Sequence, residues 1–285
     1  MRAIAWLILA LIVPANAAFA QTEEKTVYVS VVDKEDAPVP GLTAGAFIVR
    51  ENDVAREVLR ASTARGPLQI ALLIDTSQAI DNHLLDLRNA LQAFFKAVNG
   101  RHEILLMGVG ERPSVLVDLT RETPRLQKAI GLVFARTGSG MYMLDGIVDA
   151  ADALRKKKAT RPHIVVFAAR GPEFSERHHQ SVVDRLQESG ATLHSLMLDR
   201  PGIGVHMREE QELQLSIADG TQKSGGRRED LLTSMSLSDR LQSLLRDLEQ
   251  QYEITYARTK TLIPPKTLEV SSKREDVTVR AKRWP

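Results

Sequence analysis

Cysteine is absent from all 285 residues. Its absence excludes disulfide staples, thiolate nucleophiles, zinc–thiolate sites and iron–sulfur clusters, so core packing has to carry stability in any redox compartment. An excess of one charge is also missing, because 38 Lys and Arg stand against 36 Asp and Glu. That balance gives little footing for nucleic acid, and the run Arg155-Lys156-Lys157-Lys158 reads as solvated surface. Long apolar runs are lacking too. The one candidate, Ile4 to Val13, is too short to span a bilayer, and no later segment is apolar enough to try.

That short run instead has the form of a secretory signal. Arg2 supplies the positive end and Ala18-Phe19-Ala20 a small-residue cleavage site, so residues 1–20 are expected to be removed and the mature chain to begin near Gln21. No cysteine follows to carry a lipid. The product is expected to be exported, either periplasmic or secreted, with no membrane span after cleavage.

Residues 21–66 read as a small β segment. Val27, Val29 and Val31 alternate along a strand, and Phe47–Arg50 and Val54–Leu59 flank a hairpin tip at Glu51-Asn52-Asp53. Arg65-Gly66-Pro67 breaks the pattern and leads into Leu68–Ile74, a continuous apolar strand of the kind buried on both faces of a parallel sheet. Strand and helix patterns then alternate to about residue 258. Leu84, Leu87, Leu91, Phe94, Phe95 and Val98 recur at helical spacing, with Asp81 expected to cap the helix and Gly100 to end it. Thr123-Pro124 opens a second helix, and Leu144 to Leu154 marks a third. Strands are expected at Glu103–Val109, Ser114–Leu119, His163–Ala169 and Ala191–Leu198, with Ser175 and Gly190 bounding a helix between the last two. Arg208–Ala218 is expected to be helical and Ser224-Gly225-Gly226 a flexible turn. The leucines from Leu237 to Leu248 give a firm amphipathic helix, Tyr252–Ala257 a strand, and Val277–Ala281 in the tail of residues 259–285 one more. The expected fold is a three-layer, doubly wound α/β domain over residues 67–258, with a mostly parallel sheet and an accessory β unit from the two chain ends.

In such sheets ligands bind beyond the carboxyl ends of the strands, which is where Asp75-Thr76-Ser77-Gln78-Ala79 falls. With that loop, Ser139 to Asp145, Ala169-Arg170-Gly171, the upstream Gly41-Leu42 and Ala46-Phe47, and the downstream Gly225-Gly226 and Gln251-Tyr252, the chain resembles the von Willebrand factor type A domains of exported bacterial proteins. The resemblance implies non-enzymatic protein binding at that edge, in the family around one divalent cation held by Asp-x-Ser-x-Ser, a Thr and an Asp. Asp75 and Ser77 match the first two ligand positions, whereas Ala79, Met141 and Arg170 stand at the others. Hard cations need several oxygens, and Arg170 brings a permanent positive charge. The expectation is a degenerate site with no cofactor and a bidentate Arg170–Asp75 pair in place of the ion. The alternative is a Mg²⁺ site retaining Asp75 and Ser77, completed by Thr137 or Ser139 and Glu173. The rim expected to meet a protein partner comprises Asp75, Ser77, Ala79, Met141, Tyr142 and Arg170. His178-His179 reads as surface, and no Ser-His-Asp frame or phosphate loop supports an enzyme.

Overall fold

The computed structural model describes residues 22–198 and 208–284. The expected signal segment and the Pro201-Gly202-Ile203-Gly204 loop lie outside them. Four strands open the chain, β1 (Thr22–Val32), β2 (Phe47–Glu51), β3 (Val54–Arg56) and β4 (Val58–Thr63). Asn52 and Asp53 at the β2–β3 tip both take positive φ, 46° and 65°, as a two-residue hairpin turn requires. Val54 to Leu59 is not one strand. The chain changes sheets at Glu57, so that β3 pairs with β2 while β4 joins a second sheet.

The α/β part follows in the order β5 (Gln69–Ile74), α1 (Leu84–Val98), β6 (Glu103–Gly108), β7 (Ser114–Thr120), α2 (Thr123–Ala129), α3 (Met143–Lys156) and β8 (Pro162–Ala169). Then come α4 (His179–Ser189), β9 (Thr192–Leu198), α5 (Arg208–Ser224), β10 (Arg228–Leu231) and α6 (Leu237–Glu249). Its six strands lie in the order β10-β9-β8-β5-β6-β7, parallel except for the β7 edge. β5 is central and wholly buried because its side chains supply both faces. Ile70, Leu72 and Ile74 pack with Leu87, Leu91 and Phe94 of α1 and Leu241 to Leu248 of α6, whereas Ala71 and Leu73 pack with Ile147 of α3, Val182 of α4 and Ile217 of α5. Each such aliphatic side chain contributes about 1.5–3 kcal/mol on leaving water. The result is the three-layer, mostly parallel α/β fold that the apolar patterning implies.

The chain closes with β11 (Tyr252–Thr259), β12 (Leu268–Ser272) and β13 (Thr278–Ala281). β11 lies in the accessory sheet β13-β1-β11-β4, antiparallel to β1 and β4, and β12 extends the sheet β12-β2-β3. The two chain ends therefore build one β-sandwich, around Val29, Phe47, Val49, Tyr252 and Ile254. Within it Glu51, fully buried, receives Arg56, Arg258 and the Tyr256 hydroxyl, and burial with this carboxylate pushes the Tyr256 phenol up to about 12.

Two caps differ from expectation. Ser77, not Asp81, opens the first helical segment by accepting the Ala79 N–H into a 3₁₀ turn that runs into α1. Ser175 caps no helix of its own, since α4 begins at His179. The Ser224-Gly225-Gly226 turn is a crossing point rather than a flexible link. A Cβ on Gly226 would stand 1.7 Å from the Leu193 carbonyl oxygen, and one on Gly225, at φ +74°, 2.3 Å from the Ala281 carbonyl carbon.

Candidate functional site

Asp75 leaves the carboxyl end of β5 at the point where the chain order reverses, with β6 reached on one side and β8 on the other. Its side chain is wholly buried. One carboxylate oxygen accepts the Ser77 N–H at 2.7 Å and the other the Ala169 N–H at 3.2 Å. Burial raises its pKa, and the hydrogen bonds from Ser77 and Ala169 oppose that shift. The carboxylate thus stitches the first loop to the end of β8. The expected Asp75–Arg170 ion pair is not formed. Asp75 makes its bonds to backbone N–H groups, and half-buried Arg170 lines a cleft with Gln78, Ala79, Pro172 and Phe174.

Backbone hydrogen bonds lock the neighbouring loops onto this one. Gln78 N–H meets Ser139 O at 3.3 Å, Arg136 N–H meets Thr76 O at 3.0 Å, and Met141 exchanges bonds with the third loop through Pro172 O at 2.9 Å and the Phe174 N–H at 2.8 Å. Tyr142 N–H reaches Val109 O at 2.7 Å. Strapped between two loops, Met141 turns its side chain into the core beneath the sheet edge and is 1% exposed. Ala79 packs so close to Gly171 that a Cβ there would come within 2.9 Å of the Ala79 methyl.

Glu173 is used otherwise than the alternative Mg²⁺ site supposes. Its oxygens accept the Met143 and Ser175 N–H groups, each at 3.1 Å, while Ser175 Oγ accepts the Asp145 N–H at 3.1 Å. Together they cap the start of α3 from another loop, satisfying donors that the helix cannot satisfy itself. Burial pushes the Glu173 carboxyl up to about 7 despite these bonds.

This donor set does not fit a hard divalent cation. Both Asp75 oxygens face backbone N–H groups, Glu173 is committed to α3, and a methyl, a buried thioether and a guanidinium stand at the other positions that the resemblance would enlist. His178 and His179 flank Glu212 at 3.6 and 3.5 Å, and no cluster suited to a metal occurs among the described residues.

Asp75, Ser77 and Met141 are therefore buried, while Ala79, Tyr142 and Arg170 stay partly accessible. Beside them lies Phe174, 45% exposed, at the end of the Arg170–Phe174 loop that the sequence places at the rim, though not among the contact residues expected there. Its ring covers Gly140, where a Cβ would fall 2.4 Å from Cε2, and meets Tyr142 edge-on at 6.1 Å. A cleft of about 580 Å³ opens next to it. The one signal available from sequence was a large aromatic in a Gly-Pro loop following a buried strand.

Residues 70–171 match the model of the von Willebrand factor type A domain. Among solved structures, a von Willebrand factor type A protein from Catenulispora acidiphila has a TM-score of 0.53 at 11% identity, over 95% of this chain and 74% of that one. Proximal thread matrix protein 1 from the mussel byssus has a TM-score of 0.53 at 15% identity, over 70% and 50%. Curated proteins give no match. At these identities the structural likeness is one of fold, and the matched stretch runs from the central strand to the Arg170 loop. The chain is thus similar to the von Willebrand factor type A family over residues 70–171, and it shares its fold with these solved structures.

Proposed function

We propose that the protein is a non-enzymatic protein-binding module, that it acts in the cell envelope or outside the cell, and that it binds without a metal. The observation that carries this reading is Phe174, a half-exposed aromatic held over Gly140 beside a cleft walled by Arg170. Aromatic and arginine side chains are the usual anchors of interfaces, and loops locked by backbone bonds lose little entropy on binding. Phe134, 46% exposed with the Arg136 guanidinium 5.1 Å from its ring centroid, lies on the segment that the Arg136 N–H ties to Thr76. Export rests on the form of residues 1–20, and no helix among the described residues is long and apolar enough to cross a membrane.

The test is a calorimetric titration of Mg²⁺, Mn²⁺ and Ca²⁺ into chelator-treated protein, followed by capture of partners in chelator with Phe174→Ala and Arg170→Ala alongside. Silence towards the cations and a partner lost in both variants are expected. Saturable cation binding abolished by Asp75→Ala would overturn the metal-independent reading. A structural role in envelope assembly is the competing proposal. Val27 and Val31 lie inside the sandwich, so that proposal is tested on the β4 edge, where Leu59 is 36% exposed. Assembly lost on Leu59→Lys but kept in the rim variants would favour it.

A further inference from the structure

The seam between the β-sandwich and the α/β unit holds a second cleft, of about 350 Å³, remote from the loops described above. Lys25 and Tyr28 of β1, Tyr256 and Arg258 of β11, and Lys282 and Trp284 of the tail line it, and no carboxylate does. Arg258 is already neutralised by Glu51, and Lys25 is spent on a surface pair with Glu23 at 3.2 Å. Lys282 differs from both. Its stem is partly exposed, but its ammonium is enclosed and donates to the carbonyl of Gly190, the residue that ends α4. That carbonyl suits a cation, as helix carboxyl ends do. It nevertheless satisfies only one of the three donors an ammonium carries. No acidic partner to Lys282 occurs among the described residues, and burial alone lowers its pKa, to about 8. The Trp284 indole N–H, in a residue 8% exposed, also lacks a hydrogen-bond partner among the described residues.

From these observations we infer that the seam is a binding site for a small organic anion, whose carboxylate or phosphate head meets the Lys282 ammonium and whose apolar body lies against Tyr28 and the edge of Trp284. An enclosed ammonium without a counter-charge is costly, and an incoming oxyanion supplies both the charge and the missing acceptors. The aromatic walls favour a flat, apolar body over a bare inorganic ion.

Trp284 reports on the site directly. The chain has 2 tryptophans, so a full-length Trp6→Phe protein leaves Trp284 as its sole indole. Phenyl phosphate, benzoate, inorganic phosphate and sodium chloride at matched ionic strength are titrated against its emission. A saturable change with phenyl phosphate or benzoate is expected, at least about tenfold weaker in Lys282→Met, where a charge-assisted hydrogen bond is lost. Thr160→Phe, which fills the mouth of the cleft from an exposed position and leaves Lys282 in place, should block it as well. If Lys282→Met does not fold, the Thr160→Phe protein decides the matter. No saturable response to either organic anion, or a response unchanged by Thr160→Phe, would overturn the proposal. Inorganic phosphate binding as tightly as its phenyl ester would overturn the role given to the aromatic walls.

Discussion

Asp75 and Glu173 keep the chemistry of ligands in places where they serve as braces. Asp75 holds two backbone N–H groups from different loops, so Asp75→Ala strands buried donors. We expect a loss of about 2–3 kcal/mol in urea denaturation, equal in Mg²⁺ and in chelator; extra destabilisation appearing only when Mg²⁺ stabilises the parent would reinstate a cation. Glu173 makes a sharper prediction, because its folded-state pKa lies at about 7 against 4.5 for the free group. A raised carboxyl pKa means that the folded state binds the proton more tightly than the unfolded state does. The resulting stabilisation is therefore full below about 4.5 and is lost as pH rises through about 7, with an upper size of about 3 kcal/mol. Glu173→Gln should abolish that component, so the stability difference between the variant and its parent should change across this window. A difference independent of pH would show that folding leaves the Glu173 pKa unshifted.

At the scale of elements, α3 shows that a helix start can be built by a distant loop. Glu173 and Ser175 supply its caps across thirty residues of chain, which no local rule of spacing reveals. Gly140→Ala strikes the same junction. Its methyl would meet Phe174 Cδ2 at 2.6 Å and Pro172 O at 2.7 Å, and the carbonyl cannot move while it holds Met141. A loss of about 1–3 kcal/mol is expected, together with displacement of Phe174 and weaker partner binding. Gly226→Ala should be worse, since the Leu193 backbone leaves it no room; a drop in Tm of roughly 6–12 °C is expected for a loss near 3 kcal/mol in a chain of this size. Strands β8 and β9 add a pH dependence of the opposite sense. His163 Nδ1 and His194 Nε2 lie 3.2 Å apart, and the Arg227 N–H donates to His194 Nδ1. His194 therefore carries its proton on Nε2 and donates to His163. Burial lowers both imidazoles, His194 to about 3. Their contribution is present above about 6.5 and is lost as pH falls, so acid unfolding should be delayed by a neutral replacement such as His163→Gln if packing is kept.

At the scale of the molecule, the two halves are joined through Arg161, which is 4% exposed. Its guanidinium donates to Gly66 O, Leu248 O and Gln251 Oε1 and lies 5.3 Å from the Tyr28 ring centroid. Arg161→Ala should cost about 3 kcal/mol, the size of losing charge-assisted hydrogen bonds to buried acceptors, and accelerate amide exchange in β1 and β11 before the central sheet responds. Uniform exchange across both halves would mean that the seam is held elsewhere. The architecture of the α/β half is legible from local pattern, because strands buried on both faces must be apolar throughout and covering helices must be apolar on one side. β10 and β12 are not legible. Arg228-Glu229-Asp230-Leu231 and Leu268-Glu269-Val270-Ser271-Ser272 are short and half polar, and they become strands only through partners far away in the chain, β9 and β2.

The same division runs through the site. Composition alone settles that the side chains of Ala79, Met141 and Arg170 carry no oxygen, because donor chemistry belongs to the side chain wherever it sits. Position alone also places their loops beyond the carboxyl ends of the strands. Which loop residues face outward is settled only by folding. Met141 is held in the core by its own backbone bonds to the Pro172–Phe174 loop and by the bond of neighbouring Tyr142 to Val109, and Phe174 is left exposed over Gly140. Exposure depends on which atoms arrive from elsewhere in the chain, whereas chemical type does not.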